Sequence, residues 1–322
     1  MTNQSSAVPT LDASIIVCTY NRADSLEKTL TCLTNQKIPD NIRWEVIVVD
    51  NNSKDHTKQV VENAIPSFSS VPLRYEFEEQ QGLSHARNRG IQCTSGDIIL
   101  FTDDDVCPES DWLEKTLNGM TQYQCAACGG YIAPSWENEP PNWLTSRFHG
   151  FLAIRTDLDG PRQITEISDV PFGANMAFRR SIINNVGMFD TSRGRKGAEL
   201  ASGEDGEMFA RILQSNSTVM YFPESRVHHR IETFRTKKRY FRRWRYQTSR
   251  NIAISRGIDG KRRIQGVPLY LLPQLLRAMG RAFISRFRDS ADEAFYNEII
   301  VWHFFGLIDG LSTRHKQTIQ QA

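Results

Sequence analysis

Three consecutive carboxylates, Asp103, Asp104 and Asp105, stand directly after the apolar run Ile98-Ile99-Leu100-Phe101. An apolar strand ending in acids is how a buried parallel sheet delivers ligands to its carboxyl edge, where open α/β folds place their chemistry. Asp103 and Asp105 are two apart. An extended backbone points them the same way, and a turn lets them share one small hard cation. Taken alone, such a run also reads as a solvated acidic turn.

Four other clusters sit at comparable places. Thr19-Tyr20-Asn21-Arg22 follows Ala13-Ser14-Ile15-Ile16-Val17-Cys18, and Asp50 follows Trp44-Glu45-Val46-Ile47-Val48-Val49. Arg87 lies within Gly82-Leu83-Ser84-His85-Ala86-Arg87-Asn88, and Ser202-Gly203-Glu204-Asp205 precedes a helical pattern. In an α/β sheet these loops converge on one crevice. The residue types would suit a nucleotide diphosphate. A divalent cation on Asp105 would bridge phosphate oxygens, Arg87 would aid the phosphates, and Asp50 would accept a hydrogen bond from the base. Each also has a plainer reading: Asp50 caps a turn, Arg87 is a helix-surface residue, and Glu204-Asp205 are acids favoured at a helix start.

The elements that must position these groups alternate. Strands are predicted at 13–18, 44–49, 73–77 and 98–101, with a helix over 25–36 whose Leu26, Leu30 and Leu33 form one face. Short helices are predicted around 57–64 and from the loop 82–91. The alternation argues for a parallel α/β sheet covered by helices. No GxGxxG follows the first strand and no GxxxxGK[ST] occurs, which counts against a dinucleotide cradle and a nucleoside triphosphatase. Further along, a strand over 172–178 and a helix over 204–213 are predicted. We expect a loose N-terminus at 1–12, a catalytic unit at 13–225 and a basic, amphipathic helical extension at 226–322.

Composition excludes a disordered or multi-span chain: 24% of the 322 residues are charged, 39% are hydrophobic, and the net charge is +2. Charge is concentrated, with fourteen Lys or Arg against Glu232 and Asp259 between 226 and 263. That stretch suggests an anionic partner: phosphate groups, nucleic acid or a lipid surface. The six cysteines lack framework spacing, and Cys125-Ala126-Ala127-Cys128 has no second pair, so the expectation is a reduced, cytoplasmic protein. The apolar stretches 267–287 and 295–308 are interrupted by Arg277, Arg281, Arg286, Glu298 and His303 and do not read as spanning helices. They suit either a helix packed on its own domain with arginines outward, which we favour, or an interfacial helix.

The motifs together resemble family 2 glycosyltransferases of the GT-A fold, the nucleotide-diphospho-sugar transferase fold. The resemblance rests on Val17-Cys18-Thr19-Tyr20-Asn21-Arg22, Val48-Val49-Asp50-Asn51-Asn52-Ser53, the Gly82–Asn88 run, Phe101–Asp105, Phe172–Arg179 and Gly203-Glu204-Asp205, and covers 13 to about 230. It implies an inverting enzyme that moves one sugar from a nucleotide-diphosphate donor, a UDP-sugar first, to a hydroxyl acceptor in polysaccharide, glycolipid or glycoconjugate synthesis. Thr19, Tyr20, Asn21, Arg22, Asp50, Arg87, Asp103 and Asp104 would bind the donor. Asp105 and Asp103 would hold Mn²⁺ or Mg²⁺, with His228 a further candidate ligand and His229 beside it the alternative for reaching the metal or diphosphate. Asp205 would be the general base, and Gly173, Ala174, Asn175, Glu204 and Trp136 would line the acceptor or sugar pocket. Two departures bear on specificity. Asn51 replaces the second acid of a frequent Asp-Asp motif. Tyr240 stands where chain-polymerising members have the Gln of Gln-x-x-Arg-Trp, so single transfer onto an acceptor such as a lipid-linked one fits better. Peripheral membrane contact through the C-terminal helices, at the cytoplasmic face, is compatible with this reading, and nucleic acid is not expected as a partner. The alternatives are a sugar-phosphate nucleotidyltransferase, disfavoured by the glycine-free loop at 19–22, and a nucleic-acid-binding module using the basic 226–263 region.

Overall fold

The structure is a computed structural model that describes residues 11–69, 71–195, 197, 200 and 203–321. Most of the N-terminal segment expected to be loose lies outside that set, as does Ser202. The described chain divides into two compact units. Of the described residues, the first gathers those within 11–135, 153–197 and 203–230, and the second those within 136–152 and 231–321 together with residue 200.

In the first unit, β1 (Ala13–Thr19), β2 (Trp44–Asp50), β3 (Leu73–Phe77) and β4 (Ile98–Asp103) lie in the order β3-β2-β1-β4. All of their pairings are parallel. The helices α1 (Ala23–Thr34), α2 (Thr57–Ala64) and α3 (Leu83–Cys93) connect them. Beyond β4 come β5 (Val106–Pro108), α4 (Trp112–Gln122), β6 (Ala127–Trp136), β7 (Arg162–Ile164), β8 (Met176–Arg179), α5 (Arg180–Val186), α6 (Glu204–Gln214) and β9 (Val219–Ile231). The sheet continues past β4 as β8-β6-β9-β5, with β7 also on β9. Here β8 joins β4 antiparallel, and β5 and β7 join β9 antiparallel. The sheet is therefore mixed, with a wholly parallel N-terminal half.

Strands buried on both faces explain the unbroken apolar runs of β1, β2 and β4. Ile15, Val17, Val46 and Val48 pack with Leu26, Leu30 and Leu33 of α1 on one face. Ile16, Ile47, Val49 and Phe101 pack with Ala86, Met208 and Phe209 on the other. Helix α3 lies so close to β1 that a Cβ on Gly90 would come within 2.6 Å of Ile16. The predicted strand at 172–178 is shorter than expected: Gly173–Asn175 form a single 3₁₀ turn before β8.

Cysteine chemistry departs from expectation. Cys32 of α1 and Cys107 of β5 form a disulfide with a Cα–Cα distance of 5.4 Å, while Cys18, Cys93, Cys125 and Cys128 are thiols. The partners are 75 residues apart. Only the docking of α1 beside β5 brings them within bridging distance, so their spacing carries no signal.

The second unit contains α7 (Lys238–Arg256), a hairpin of β10 (Arg263–Ile264) and β11 (Val267–Pro268), α8 (Leu271–Arg288) and α9 (Ala291–Gln321). It also takes the segment 136–152, because Trp143 and Phe148 enter a ring cluster with Phe241 and Phe295 at centroid distances of 4.6 to 6.1 Å. Helix α7 is bound to α9 by ion pairs from Arg242 to Glu298 and from Arg250 to Asp309, both 2.6 Å. Tyr240 and Phe241, which a nucleic-acid surface would have to present for stacking, are buried. Helix α8 packs on α9 of its own unit, with Leu271 beside Leu307 and Leu311 and Asn297 donating to Ser285. It buries only Leu271, Ala282 and Ser285 and leaves a row of large apolar side chains exposed. No described helix is long and apolar enough to cross a membrane.

Candidate active site

Register aligns the carboxyl ends of the parallel strands. Thr19 faces Asp50 across β1 and β2, and Cys18 faces Asp103 across β1 and β4. The loops that follow therefore leave the sheet side by side. Asp50 is buried, accepting from the Tyr75 hydroxyl at 2.8 Å and from the Ser53 amide at 2.8 Å. Asn51 acts as a brace. Its Oδ1 accepts from Gly82 N–H at 2.8 Å and its Nδ2 donates to the Gln80 carbonyl at 2.7 Å, tying the end of β2 to the start of α3. An aspartate there would lose the donor half of that brace. Asn21 has a positive φ of 52° and accepts from Lys54 N–H at 2.7 Å. Tyr20 beside it is half-buried.

The acidic triad is held from several directions. Thr19 donates its hydroxyl to Asp104 Oδ2 at 2.7 Å. Arg22 reaches Asp105 Oδ2 at 2.9 Å and Asp104 Oδ1 at 3.5 Å. The Asp104 carbonyl accepts from Thr29 Oγ1 at 2.9 Å and from the Arg230 guanidinium at 3.1 Å. Burial pushes Asp104 up to about 7, against the pull of Arg22, and raises Asp103 too, with the Asp105 carboxylate adding to the shift. Packing three acids together out of water makes a site that gains from a cation.

The histidine that joins them is His229, with Nε2 3.3 Å from Asp105 Oδ1. The sequence leaves His228 and His229 open, with His228 placed first. That residue instead points to Glu109, 3.1 Å away, and is half-exposed. The reason is strand alternation: β9 runs Val227-His228-His229-Arg230-Ile231, so His229 shares the inward face with Val227 and Ile231. Pairing of Val106 with His229 across β5 and β9 then sets the ring beside the triad. The V-x-H-x-I period was the available signal, hidden because no strand was assigned there.

Opposite stands a second charged group. Arg87, buried on α3, bonds Asp205 and lies 3.2 Å from Glu204 Oε1. Its guanidinium is 5.2 Å from the Phe189 ring centroid. Burial lowers the Arg87 pKa, but Asp205, Glu204 and Asp103 together outweigh it and the net shift is upward. Gly173 N–H donates to Asp205 Oδ2 at 2.9 Å. A Cβ on Gly173 would overlap the Arg87 guanidinium and press on Asp205 Oδ2, so a larger residue there would shift this ion pair. The two acids of α6 are not equivalent. Asp205 keeps 21% of its side chain exposed, against 5% for Glu204. Glu204 Oε2 is buried without a hydrogen-bond partner among the described residues, and burial raises this carboxyl to about 7.

One residue assigned to an acceptor or sugar pocket is occupied otherwise. The Asn175 side chain is spent inside the fold, accepting from Trp112 Nε1 at 2.9 Å and donating to the Ser225 carbonyl at 2.8 Å and the Tyr131 carbonyl at 3.1 Å. Its polar atoms have no capacity left over for a sugar. Trp136 belongs to the second unit. Ala174 is buried and contributes its carbonyl to Thr102 Oγ1 at 3.1 Å.

For a divalent cation the donor set is partial. No group of three His, Cys, Asp or Glu among the described residues forms a cage. Asp105 and His229 offer a carboxylate and an imidazole side by side, a pair suited to Mn²⁺ or Mg²⁺ when phosphate oxygens complete the shell. The residues present fit a cation that arrives with its ligand.

Comparison with known proteins agrees with this arrangement. The family model described as glycosyl transferase family 2 matches residues 14–187. A glucosyl-dolichyl phosphate glucuronosyltransferase of Haloferax volcanii is 28% identical over 232 residues, covering 70% of this chain and 72% of that protein. Among solved structures, the mannosyltransferase PcManGT from Pyrobaculum calidifontis, in complex with GDP-Man and Mn²⁺, gives a TM-score of 0.59 at 19% identity over 95% of this chain and 88% of that one. S. aureus TarS 1-349 in complex with UDP-GlcNAc gives 0.54 at 16% identity, over 97% and 92%. The likeness in fold is to GT-A-type glycosyltransferases. With the family model spanning more than half of the chain, from the first strand past the acidic triad and the Gly173 turn, the protein belongs to glycosyl transferase family 2.

Proposed function

We propose that the protein is an inverting, metal-dependent transferase that moves a single sugar from a nucleotide-diphosphate donor to a hydroxyl acceptor in polysaccharide, glycolipid or glycoconjugate synthesis. The observation that carries this reading is the pairing of an acidic triad, with Asp104 and Asp105 buried, with a separate, partly exposed carboxylate, Asp205, held by Arg87 and the Gly173 amide.

In this reading Asp50 and Thr19 face the nucleoside, and Asp105 with His229 would hold the cation. When bound, a divalent ion there would neutralise charge on the departing diphosphate. Asp205 takes the proton from the acceptor hydroxyl. That oxygen bonds to the anomeric carbon while the bond from the carbon to the diphosphate oxygen breaks, inverting the centre. Two fixed partners, the Arg87 guanidinium and the Gly173 amide, aim the Asp205 carboxylate, which is what a base of this kind needs. Glu204, buried behind it, has no route to an acceptor.

A UDP-sugar is our first choice of donor, and a lipid-linked hydroxyl our first choice of acceptor, with contact to a membrane through the C-terminal helices. The resemblance to a glucosyl-dolichyl phosphate glucuronosyltransferase supports the lipid-linked choice. We place the reaction at a cytoplasmic face. The Cys32–Cys107 bridge is in tension with that location, and counting free thiols in protein extracted under alkylating conditions tests it.

The deciding experiment is a donor panel with and without Mn²⁺, read by thermal shift and by sugar-nucleotide hydrolysis. We expect one donor to stabilise the protein only with metal, and Asp105→Ala to lose that response. A folded protein with no metal-linked response to any donor overturns the proposal.

A further inference from the structure

Helix α8 has three distinct sides. Leu271, Ala282 and Ser285 are buried. Leu272, Leu276, Met279, Phe283 and Phe287 follow at steps of four, three, four and four, which places them on one stripe of a 3.6-residue helix. All five are exposed, from 45% at Leu272 and Met279 to 76% at Phe287. Arg277, Arg281 and Arg288, at steps of four and seven, form a stripe on the remaining side.

The charge on this helix has no internal counterpart. Its eighteen residues include four arginines and no Asp or Glu. None of the four is ion-paired among the described residues, in contrast to Arg242 and Arg250 of α7. Arg277 and Arg281 also line a notch of 220 Å³ whose other walls include Ile300 and Phe304 of α9. Cationic groups beside an apolar wall suit a phosphate head attached to a hydrocarbon chain.

We propose that α8 is an interfacial helix that docks this protein on an anionic lipid bilayer. Phe287, Phe283 and Leu276 enter the boundary between headgroups and acyl chains, and Arg277, Arg281 and Arg288 meet lipid phosphates. An apolar stripe beside an acid-free cationic one is the pattern of helices that lie in the interface plane. A protein partner would also cover apolar side chains, but it would have to bring acids matched to a regular arginine stripe, which an anionic bilayer supplies without design. This deepens the membrane part of the function proposed above and is independent of its chemistry.

The test is co-sedimentation of the full chain with phosphatidylcholine vesicles, with and without phosphatidylglycerol. We expect binding to the anionic vesicles that weakens as salt rises. It should fall at least tenfold in Leu276→Glu/Phe283→Glu, and about fivefold for each of Arg277→Gln and Arg281→Gln. Circular dichroism confirms that the variants fold, and a UDP-glucose and Mn²⁺ thermal-shift assay on the same samples follows the donor site separately. Absence of binding by folded wild type, binding unchanged in the double Glu variant, or vesicle-independent dimerisation abolished by it would each overturn the proposal.

Discussion

In the crevice, Arg87 lies between Glu204 and Asp205, and Arg22 contacts Asp104 and Asp105, so each cation has two carboxylates within 3.5 Å. Along α8, four arginines run beside exposed leucine, methionine and phenylalanine with no carboxylate on the same helix. Both regions are rich in arginine, and their consequences differ. Inside the first unit each of these arginines is held between two carboxylates, and breaking one pair strands a charge. On α8 none of the arginines is ion-paired among the described residues, and Arg277 bonds only the exposed Pro273 carbonyl of its own helix, so substitutions there should leave folding little changed and act on what the helix meets. The contrast separates a catalytic use of charge from a docking use.

The sharpest way to break it is Arg87→Met. Removing the cation leaves Asp205 and Glu204 facing each other, one of them buried, and we expect a loss of about 3–5 kcal/mol in chemical denaturation together with loss of turnover. A cost within experimental error would mean that the pair is not internally compensated as drawn. Asp205→Asn asks for less from the fold and more from the chemistry. It keeps an acceptor oxygen for the Gly173 amide and removes the base, so kcat should fall by about 10²–10⁴-fold with donor binding retained. Lost donor binding with intact turnover per bound donor would move the base elsewhere.

Glu204→Gln tests the buried member of the pair through pH. Burial raises Glu204 from its ordinary 4.5 to about 7. The folded chain therefore holds a proton that the unfolded chain releases earlier. The stability tied to that proton is fully present below pH 4.5 and is lost as pH rises through about 7, by at most about 1.4 kcal/mol per pH unit. In chelator-treated protein, Tm should decline over this window, and Glu204→Gln should flatten the decline. Asp104 shifts in the same direction, so some slope remains in the variant. Identical slopes in the two proteins would remove Glu204 as the source.

Much of the crevice was legible before any coordinates. The β1, β2 and β4 runs are apolar on both faces and end in Thr19, Asp50 and Asp103, so strand ends and site residues announce each other. The α1 face of Leu26, Leu30 and Leu33 was equally plain. Local periodicity could not reveal pairings made across long separations. The choice of His229 over His228 depends on a strand whose charged residues hide its alternation. The spent amide of Asn175 depends on Trp112, Tyr131 and Ser225, from three different segments. Cys32 meets Cys107 only through docking of α1 beside β5. The exposed α8 face stays hidden for a different reason: an apolar helical stripe looks the same in sequence whether a neighbour covers it or not.

That last ambiguity gives the smallest expected effect and a direct check on the comparison. Leu30 and Leu276 are both helical leucines on apolar stripes, yet Leu30 is 1% exposed and Leu276 is 68% exposed. Leu30→Ala removes packed methyl groups and leaves a cavity, so it should cost about 2–5 kcal/mol. Leu276→Ser removes contacts that the isolated chain does not make and should stay within about 0.5 kcal/mol in either direction in urea unfolding without vesicles. With anionic vesicles present, the two should exchange roles, Leu276→Ser weakening sedimentation and Leu30→Ala leaving it unchanged in the folded fraction. If Leu276→Ser instead destabilises the free protein by kilocalories, the α8 stripe is part of a core and the docking surface does not exist.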